Sequence, residues 1–65
     1  MEKKIELVQK ISNNDGSQLV TAELNCYDNG VYIAQLSRTE FLLPEIMTDE
    51  EIISHLSFND YSKYL

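Results

Sequence analysis

Few side chains of this 65-residue chain suit catalysis or metal binding, and they stand apart from one another. His55 is the only histidine, and Glu51, one helical turn before it, is the only ligand candidate beside it. Metal sites in proteins need three or four ligands, whereas a Glu and a His four residues apart on a helix usually make an ordinary surface contact. The pair therefore predicts no metal site.

Cys26 is the only cysteine, so the chain forms no internal disulfide. A reactive thiolate needs a cation, a histidine or a helix N-terminus to lower its pKa, and the sequence places no histidine beside Cys26. A buried, inert thiol is the prediction. Gly16 and Gly30 lie in turn sequences and not in a phosphate-binding loop, so no cofactor site is indicated.

Carboxylates are the most numerous reactive groups, with eleven in the chain. Acid–base catalysis requires two of them in different environments inside a cleft, which a domain of this size has little room to form. Asp49, Glu50 and Glu51 are adjacent, but the first turn of a helix favours negative charge for its own stability. We therefore expect no enzyme activity and no catalytic residue.

The elements that must position these side chains begin with two turn sequences, Asn14-Asp15-Gly16-Ser17 and Tyr27-Asp28-Asn29-Gly30. Both lie between stretches that suit strands. A two-residue Asp15-Gly16 loop in a type I′ turn matches the twist of a hairpin. It pairs the two strands as Ile5 with Cys26, Leu7 with Leu24, Gln9 with Ala22, and Ile11 with Val20.

The second turn predicts a three-residue loop, because a two-residue Asn29-Gly30 loop mixes apolar and polar residues on one face. In the three-residue loop, Asp28 and Asn29 form a type I turn and Gly30 takes the positive φ of a G1 bulge. The resulting pairs are Cys26 with Tyr32, Leu24 with Ala34, and Ala22 with Leu36. Both hairpins then share one apolar face.

The last third of the chain changes to a helical pattern. Thr48 and Glu51 have the spacing of a capping box, and Met47 and Ile52 that of a hydrophobic staple. Apolar residues continue to Leu65 at helical steps, but Ser57–Asn59 favours a turn. The pattern fits either one frayed helix over residues 49–64 or two short helices. Residues 37–46 either extend the third strand or form a helical turn that stops before Pro44.

Together these elements predict one α+β domain over residues 1–65, a three-stranded antiparallel β-meander followed by a C-terminal helix packed on one sheet face. A chain this short is near the lower limit for a self-supporting core. The predicted core consists of Ile5, Leu7, Ile11, Val20, Ala22, Leu24, Cys26, Tyr32, Ala34, Leu36, Ile52, Ile53 and Leu56.

Charge is unevenly distributed along the chain. The net charge is −6, and residues 11–62 contain nine acidic residues and one basic residue, a net −8. Direct nucleic-acid binding depends on neutralising phosphates, so it is not expected, and a basic protein surface is the more natural partner. The longest apolar run, residues 31–34, is too short for a membrane span or a signal peptide, and we expect a cytoplasmic protein.

These observations predict a small acidic, non-enzymatic interaction protein that occupies the surface of a larger protein. An inhibitor, antidote or regulator of a basic or nucleic-acid-handling protein is the sharpest form, by analogy with small acidic proteins of mobile elements. The alternative is a structural or regulatory subunit that acts through homo-oligomerisation, for example as a homodimer. The candidate partner-binding residues combine an apolar stretch, which would otherwise fill the core, with adjacent acids: Phe41, Leu42, Leu43, Glu45, Ile46, Asp49, Glu50 and Glu51. The candidate self-association residues are Tyr27, Val31 and Ile33.

Overall fold

The computed structural model describes all 65 residues and forms one antiparallel sheet with a helix on one face. The strands lie in chain order, so the sheet is a meander. Its predicted α+β architecture is confirmed. Neither helical segment is long and apolar enough to cross a membrane. The elements are β1 (Glu2–Ser12), β2 (Gln18–Asp28), β3 (Val31–Leu43), α1 (Asp49–Phe58) and a 3₁₀ helix (Ser62–Tyr64).

The first turn is a three-residue loop, so the predicted two-residue Asp15-Gly16 loop is wrong. The Asn13 and Ser17 main chains are hydrogen-bonded across the turn, and the Gly16 N–H donates to the Asn13 carbonyl. Only Gly16 has a positive φ, of 87°, whereas a type I′ turn needs two such residues. The Asp15 carboxylate accepts hydrogen bonds from the Ser17 N–H at 2.9 Å and hydroxyl at 2.6 Å, which holds the longer loop.

The second turn is the two-residue loop, and the predicted three-residue loop is wrong. Asn29 and Gly30 both have positive φ, of 51° and 80°, and Asp28 pairs directly with Val31. Gly30 therefore has the predicted conformation in a different turn type. Among residue types, asparagine adopts the left-handed region most readily after glycine, and a type I′ turn matches strand twist. The two-residue loop is therefore less strained than the predicted three-residue loop.

The three-residue turn and one bulge determine which residues of β1 lie on each face of the sheet. Beside the first turn, Ile11 opposes Leu19 and lies on the face away from α1, which we call the outer face. An irregularity at Val8 shifts the register, and Ile5 and Leu7 then lie under the helix as predicted. Ile11 is exposed, so its predicted place in the core is wrong.

Two further bulges in β3 leave Ile33 and Leu36 without a direct partner on β2. None of the three predicted pairs between β2 and β3 forms, because the two-residue turn shifts the register by one residue and each bulge shifts it by one more. Tyr32 and Leu36 are about half exposed, and their predicted burial is wrong. The observed pairs include Cys26 with Ala34, Leu24 with Ser37, Ala22 with Thr39, and Val20 with Phe41.

The uncertain segment after Ser37 continues β3 as far as Leu43, which favours the first of the two predicted alternatives. Leu43 is buried in the core and Phe41 packs against it. The core lies between the sheet and α1. It includes Tyr61, which the sequence did not assign to it, and Leu43, from the apolar stretch whose alternative role was to fill the core. Its buried members are Val20, Ala22, Leu24, Leu43, Ile52, Leu56 and Tyr61, with Ile5, Leu7, Phe41 and Met47 packed around them.

The helix begins with the predicted capping box. The Glu51 N–H donates to the Thr48 hydroxyl at 3.2 Å, and the Thr48 N–H donates to the Glu51 carboxylate at 2.9 Å. At the other end, the Asn59 side chain donates to the His55 carbonyl at 2.7 Å. The helix ends at Phe58, within the turn predicted at Ser57–Asn59. The chain then turns back so that Tyr61 enters the core.

Candidate functional site

Neither residue with potential metal or redox chemistry has suitable neighbours. Cys26 is buried, with its sulfur 3.5 Å from the sulfur of Met1. His55 is exposed, and its Nδ1 lies 3.4 Å from the side-chain nitrogen of Asn59, while Glu51 is engaged in the helix cap. No group of three His, Cys, Asp or Glu side chains is positioned to hold a metal ion.

The outer face of the sheet carries a connected polar network at its centre. The Asn25 side chain donates to Glu6 at 3.0 Å and to Glu23 at 3.1 Å. The Tyr27 hydroxyl also donates to Glu6, and the Arg38 guanidinium forms an ion pair with Glu23 at 2.6 Å. The cross-strand pairs bring these five side chains together from all three strands.

The charges in this network are stable at neutral pH. The Tyr27 hydroxyl, helped by Asn25 and Lys4, holds the pKa of Glu6 below its ordinary value, and the same contact raises the pKa of Tyr27. Glu6 therefore stays ionised and Tyr27 stays protonated near pH 7. General acid–base catalysis works best when the pKa lies near the working pH, so these shifts point away from that role.

A second feature of the network is the buried Asn25 side chain, of which 4% is exposed. Its carbonyl oxygen is buried without a hydrogen-bond partner, while its amide nitrogen bridges two carboxylates. Further along the sheet, and including Arg38 of the network, a shallow depression is lined only by polar residues: Gln9, Thr21, Arg38, Thr39 and Glu40. Small-molecule pockets are mostly apolar and enclosed, and this depression is neither.

The apolar part of the predicted partner-binding set divides between core and surface. Phe41 and Leu43 belong to the core. Leu42 is 68% exposed on the outer face, where the register aligns it with Leu19. Ile46 is 61% exposed in the loop between β3 and α1. Two of the four apolar residues therefore remain available to a partner.

The acidic part of the set divides in the same way. Asp49 forms an ion pair with Lys10, and Glu51 completes the helix cap. Glu45 and Glu50 are exposed and make no hydrogen bond or ion pair. We call the surface formed by Glu45, Ile46, Asp49, Glu50 and Glu51 the acidic end.

The predicted self-association residues lie around the second turn. Val31 and Ile33 are more than half exposed. Tyr27 is partly buried, and its ring packs edge-to-face on Tyr32 at a centroid distance of 5.8 Å. Tyr32 joins this exposed apolar region, and Leu36 is exposed further along β3. The sequence placed both in the core because it predicted a longer second turn and did not anticipate the bulges.

Sequence reasoning also missed the free edge of the sheet. β3 pairs with β2 on one side only, and its other edge has no partner strand. A signal for it was present, because a meander always leaves its first and third strands at the edges. The edge matters because its main-chain donors and acceptors are available to another strand.

Known proteins give no further guide to this site. No protein-family model matches the chain, and no curated protein or solved structure matches it. The function must therefore be argued from the exposed surfaces of the chain itself.

Proposed function

We propose that the protein is a non-enzymatic binding module that occupies a basic surface of a larger protein through its acidic end. The sharpest form of the proposal is an inhibitor, antidote or regulator of a nucleic-acid-handling protein, whose substrate site is itself basic. The proposal places the protein in the cytoplasm, where a reducing environment suits its single buried thiol.

The observation that carries the proposal is the exposed Ile46 between two unpaired carboxylates, Glu45 and Glu50. Binding surfaces commonly combine a desolvated apolar centre with a polar, charged rim. No intramolecular cation neutralises either carboxylate, so both are free to pair with lysine or arginine of a partner.

The backbone that follows Ile46 is anchored, which supports a binding role. The Met47 N–H donates to the Gln18 side chain at 3.3 Å, and Gln18 is buried. The next residue, Thr48, is fixed by the capping box with Glu51. A loop held in one conformation loses little entropy on binding, so more of the contact energy appears as affinity.

The distribution of charge favours a basic partner. Lys10 is the cation near the acidic end, and Asp49 neutralises it. Lys3 lies at the opposite end of the molecule, where its ammonium group donates to the Tyr64 carbonyl at 2.9 Å. A separation of this kind orients the protein toward a positive surface and accelerates association.

The test begins with capture of partners from a lysate of the organism that encodes the protein, followed by association kinetics with the identified partner. Glu50→Lys should slow association by about tenfold at low ionic strength and flatten its salt dependence. Ile46→Asp should accelerate dissociation. Asp28→Lys is the matched control, because it makes the same charge change at an exposed residue in the far turn.

Two outcomes of these experiments would contradict the proposal. Equal effects of Glu50→Lys and Asp28→Lys would mean that only net charge matters. A partner footprint confined to Lys3 and Lys4 would move the binding surface to the other end of the chain.

Self-association is a second candidate function, favoured by the exposed Val31 and Ile33 beside the second turn. Small domains with little core often bury such residues between subunits. Ile33→Asp should then lower the association constant in sedimentation equilibrium. An unchanged constant would remove this surface from consideration.

A further inference from the structure

We propose that the free edge of β3 pairs with β3 of a second copy of this chain, in antiparallel orientation and centred on Thr39. The two meanders then form one six-stranded sheet. This inference rests on a different surface from the acidic end and from the Val31 and Ile33 region, and the experiments below separate the three.

The two edges of the sheet differ in how well they are protected. At the β1 edge, Lys10 binds Asp49 of α1 and Lys3 binds the Tyr64 carbonyl, while a bulge at Val8 interrupts the strand. Lysines and bulges of this kind protect an edge from pairing. The β3 edge has no lysine, and residues 37–43 pair with β2 without a bulge. That regular stretch is the part of the sheet best suited to accept another strand.

The sequence around Thr39 is chemically self-complementary. When two copies run antiparallel with Thr39 opposite Thr39, Arg38 of each chain opposes Glu40 of the other. Leu42 of each chain likewise lies across from the bulged Leu36 of the other. Opposite charges and apolar pairs directly across two strands stabilise a sheet, and the two-fold symmetry repeats each pair.

Neighbouring registers lack this complementarity. Centring the pair on Arg38 places two arginines opposite each other, and centring it on Glu40 does the same with two glutamates. Like charges directly opposite destabilise a sheet. Registers centred between residues place main-chain groups that point out of one edge opposite residues whose groups point back toward β2, so the hydrogen-bond ladder cannot form. Thr39 is therefore the centre that the side chains favour.

The side chains of β3 are also available for contacts with a second copy. Glu40 is exposed and makes no hydrogen bond or ion pair within the chain. Arg38 is held by Glu23 through one nitrogen, and a guanidinium has five donors, so others remain for a second carboxylate. Leu42 and Leu36, which are 68% and 46% exposed, lose contact with water in the pair. The edge main-chain groups gain partners as well.

Light scattering after size exclusion tests the dimer on the full chain. The wild type should have twice the chain mass of 7.5 kDa. Glu40→Arg should reduce it to 7.5 kDa, because two arginines then oppose two arginines. Glu45→Arg is the matched control, since it makes the same charge change outside the strand and should remain dimeric.

A charge exchange between subunits tests the specific pairs. Arg38→Glu should also be monomeric alone, whereas an equimolar mixture of Arg38→Glu and Glu40→Arg restores two opposite-charge pairs and should form a heterodimer. Circular dichroism melts of each variant verify that it is folded. A mixture that stays monomeric while both variants are folded would overturn the register.

Cysteine cross-linking locates the contact independently of mass. In a Cys26→Ala background, single cysteines at positions 38, 39 and 40 are oxidised, and the covalent dimer should form fastest with Thr39→Cys. A wild-type mass of 7.5 kDa at millimolar concentration would overturn the proposal. So would a dimer that survives Glu40→Arg but is lost in Ile33→Asp, which would assign self-association to the second turn instead. Either result leaves the acidic-end proposal untouched.

Discussion

Asn29 and Gly30 show how single residues determine the geometry of a turn. Both have positive φ, a conformation that costs most residues about 1–3 kcal/mol but is cheap for glycine and tolerated by asparagine. In the first turn only Gly16 has a positive φ, and the Asp15 carboxylate accepts a hydrogen bond from the Ser17 N–H. Side-chain hydrogen bonding thus accompanies the longer first loop, whereas backbone conformation characterises the second.

Gly30→Val should lower the free energy of unfolding by about 1–3 kcal/mol, because a β-branched residue is strained at positive φ. Urea denaturation measures the change. Asn29→Gly is the control and should cost little, since glycine is at home in the same region. A Gly30→Val protein with wild-type stability would show that the turn has rearranged.

Tyr27→Phe should raise the pKa of Glu6, because the Tyr27 hydroxyl is the main cause of its low value. The measurement is an NMR titration of the Glu6 side-chain carboxyl carbon. Tyr32→Phe is a matched control, since Tyr32 makes no hydrogen bond to Glu6. Equal titration curves for wild type and Tyr27→Phe would contradict the hydrogen-bond assignment.

At the scale of elements, α1 combines a narrow apolar face with a complete N-terminal cap. Only Ile52 and Leu56 of the helix are buried. Each cap residue satisfies a main-chain N–H that would otherwise lack an intrahelical partner. The same cap orients Ile46 and Glu50, so helix stability and the candidate binding surface are linked.

Thr48→Ala should lower the free energy of unfolding by about 1 kcal/mol at pH 7, through loss of one side of the capping box. Thermal denaturation followed by circular dichroism provides the measurement. Ser57→Ala is a comparison on the same helix, since the Ser57 hydroxyl bonds to the Ile53 carbonyl and makes no cap. A larger loss in Ser57→Ala than in Thr48→Ala would contradict the importance of the cap.

The pH dependence of stability provides a second test of the capping box. The Thr48 N–H holds the pKa of Glu51 below its ordinary value, so the stabilisation is complete above the unfolded pKa of about 4.3. It is lost as pH falls through the lower folded pKa. Any advantage of wild type over Glu51→Gln at pH 7 should therefore disappear in acid.

The elements and their order could be predicted because turn and cap residues act locally. The register could not. The predicted first hairpin is one residue off at Ile11, and two residues off at Ile5 and Leu7 beyond the bulge at Val8. A slip of one residue reverses the face and a slip of two restores it. Gln9 and Ile11, between the turn and the bulge, were therefore assigned to the wrong face, whereas Ile5 and Leu7 were not. Bulges depend on both strands and leave no local signature in one.

The candidate surfaces were predictable only in part, for a related reason. The acids of the acidic end are visible in the sequence, but which of Leu42 and Leu43 faces the core depends on how far β3 extends. The complementarity of Arg38 and Glu40 becomes meaningful only once that strand is known to lie at an edge. Surface function therefore requires knowledge of the neighbours of each strand.

At the scale of the whole molecule, Tyr61 joins the C-terminal segment to the sheet. It is buried, its ring lies edge-to-face with Phe41 at 6.0 Å, and its hydroxyl is 3.5 Å from the Ala22 carbonyl. The 3₁₀ helix that follows has no buried residue of its own. Tyr61 therefore provides most of the packing that fixes the C-terminal segment to the sheet.

Tyr61→Ala should destabilise the protein by about 3–5 kcal/mol, the usual loss for an aromatic side chain removed from a core. Tyr61→Phe should cost less than about 1 kcal/mol, because it removes only a long hydrogen bond. Chemical denaturation of both variants measures the difference. Similar losses in the two would mean that the hydroxyl, and not the ring, anchors the segment.

The meander order of the strands has a kinetic consequence. Each hairpin closes a short loop, whereas the Lys3 contact with Tyr64 joins residues 61 positions apart. Contacts between near neighbours form at a lower entropic cost, so we expect the hairpins to precede docking of the C-terminal segment in the folding transition state. Loss of the Tyr61 ring should then accelerate unfolding and leave the refolding rate nearly unchanged. The lifetime of the folded state would then depend on the docked C-terminal segment, and the folding rate on the two hairpin turns.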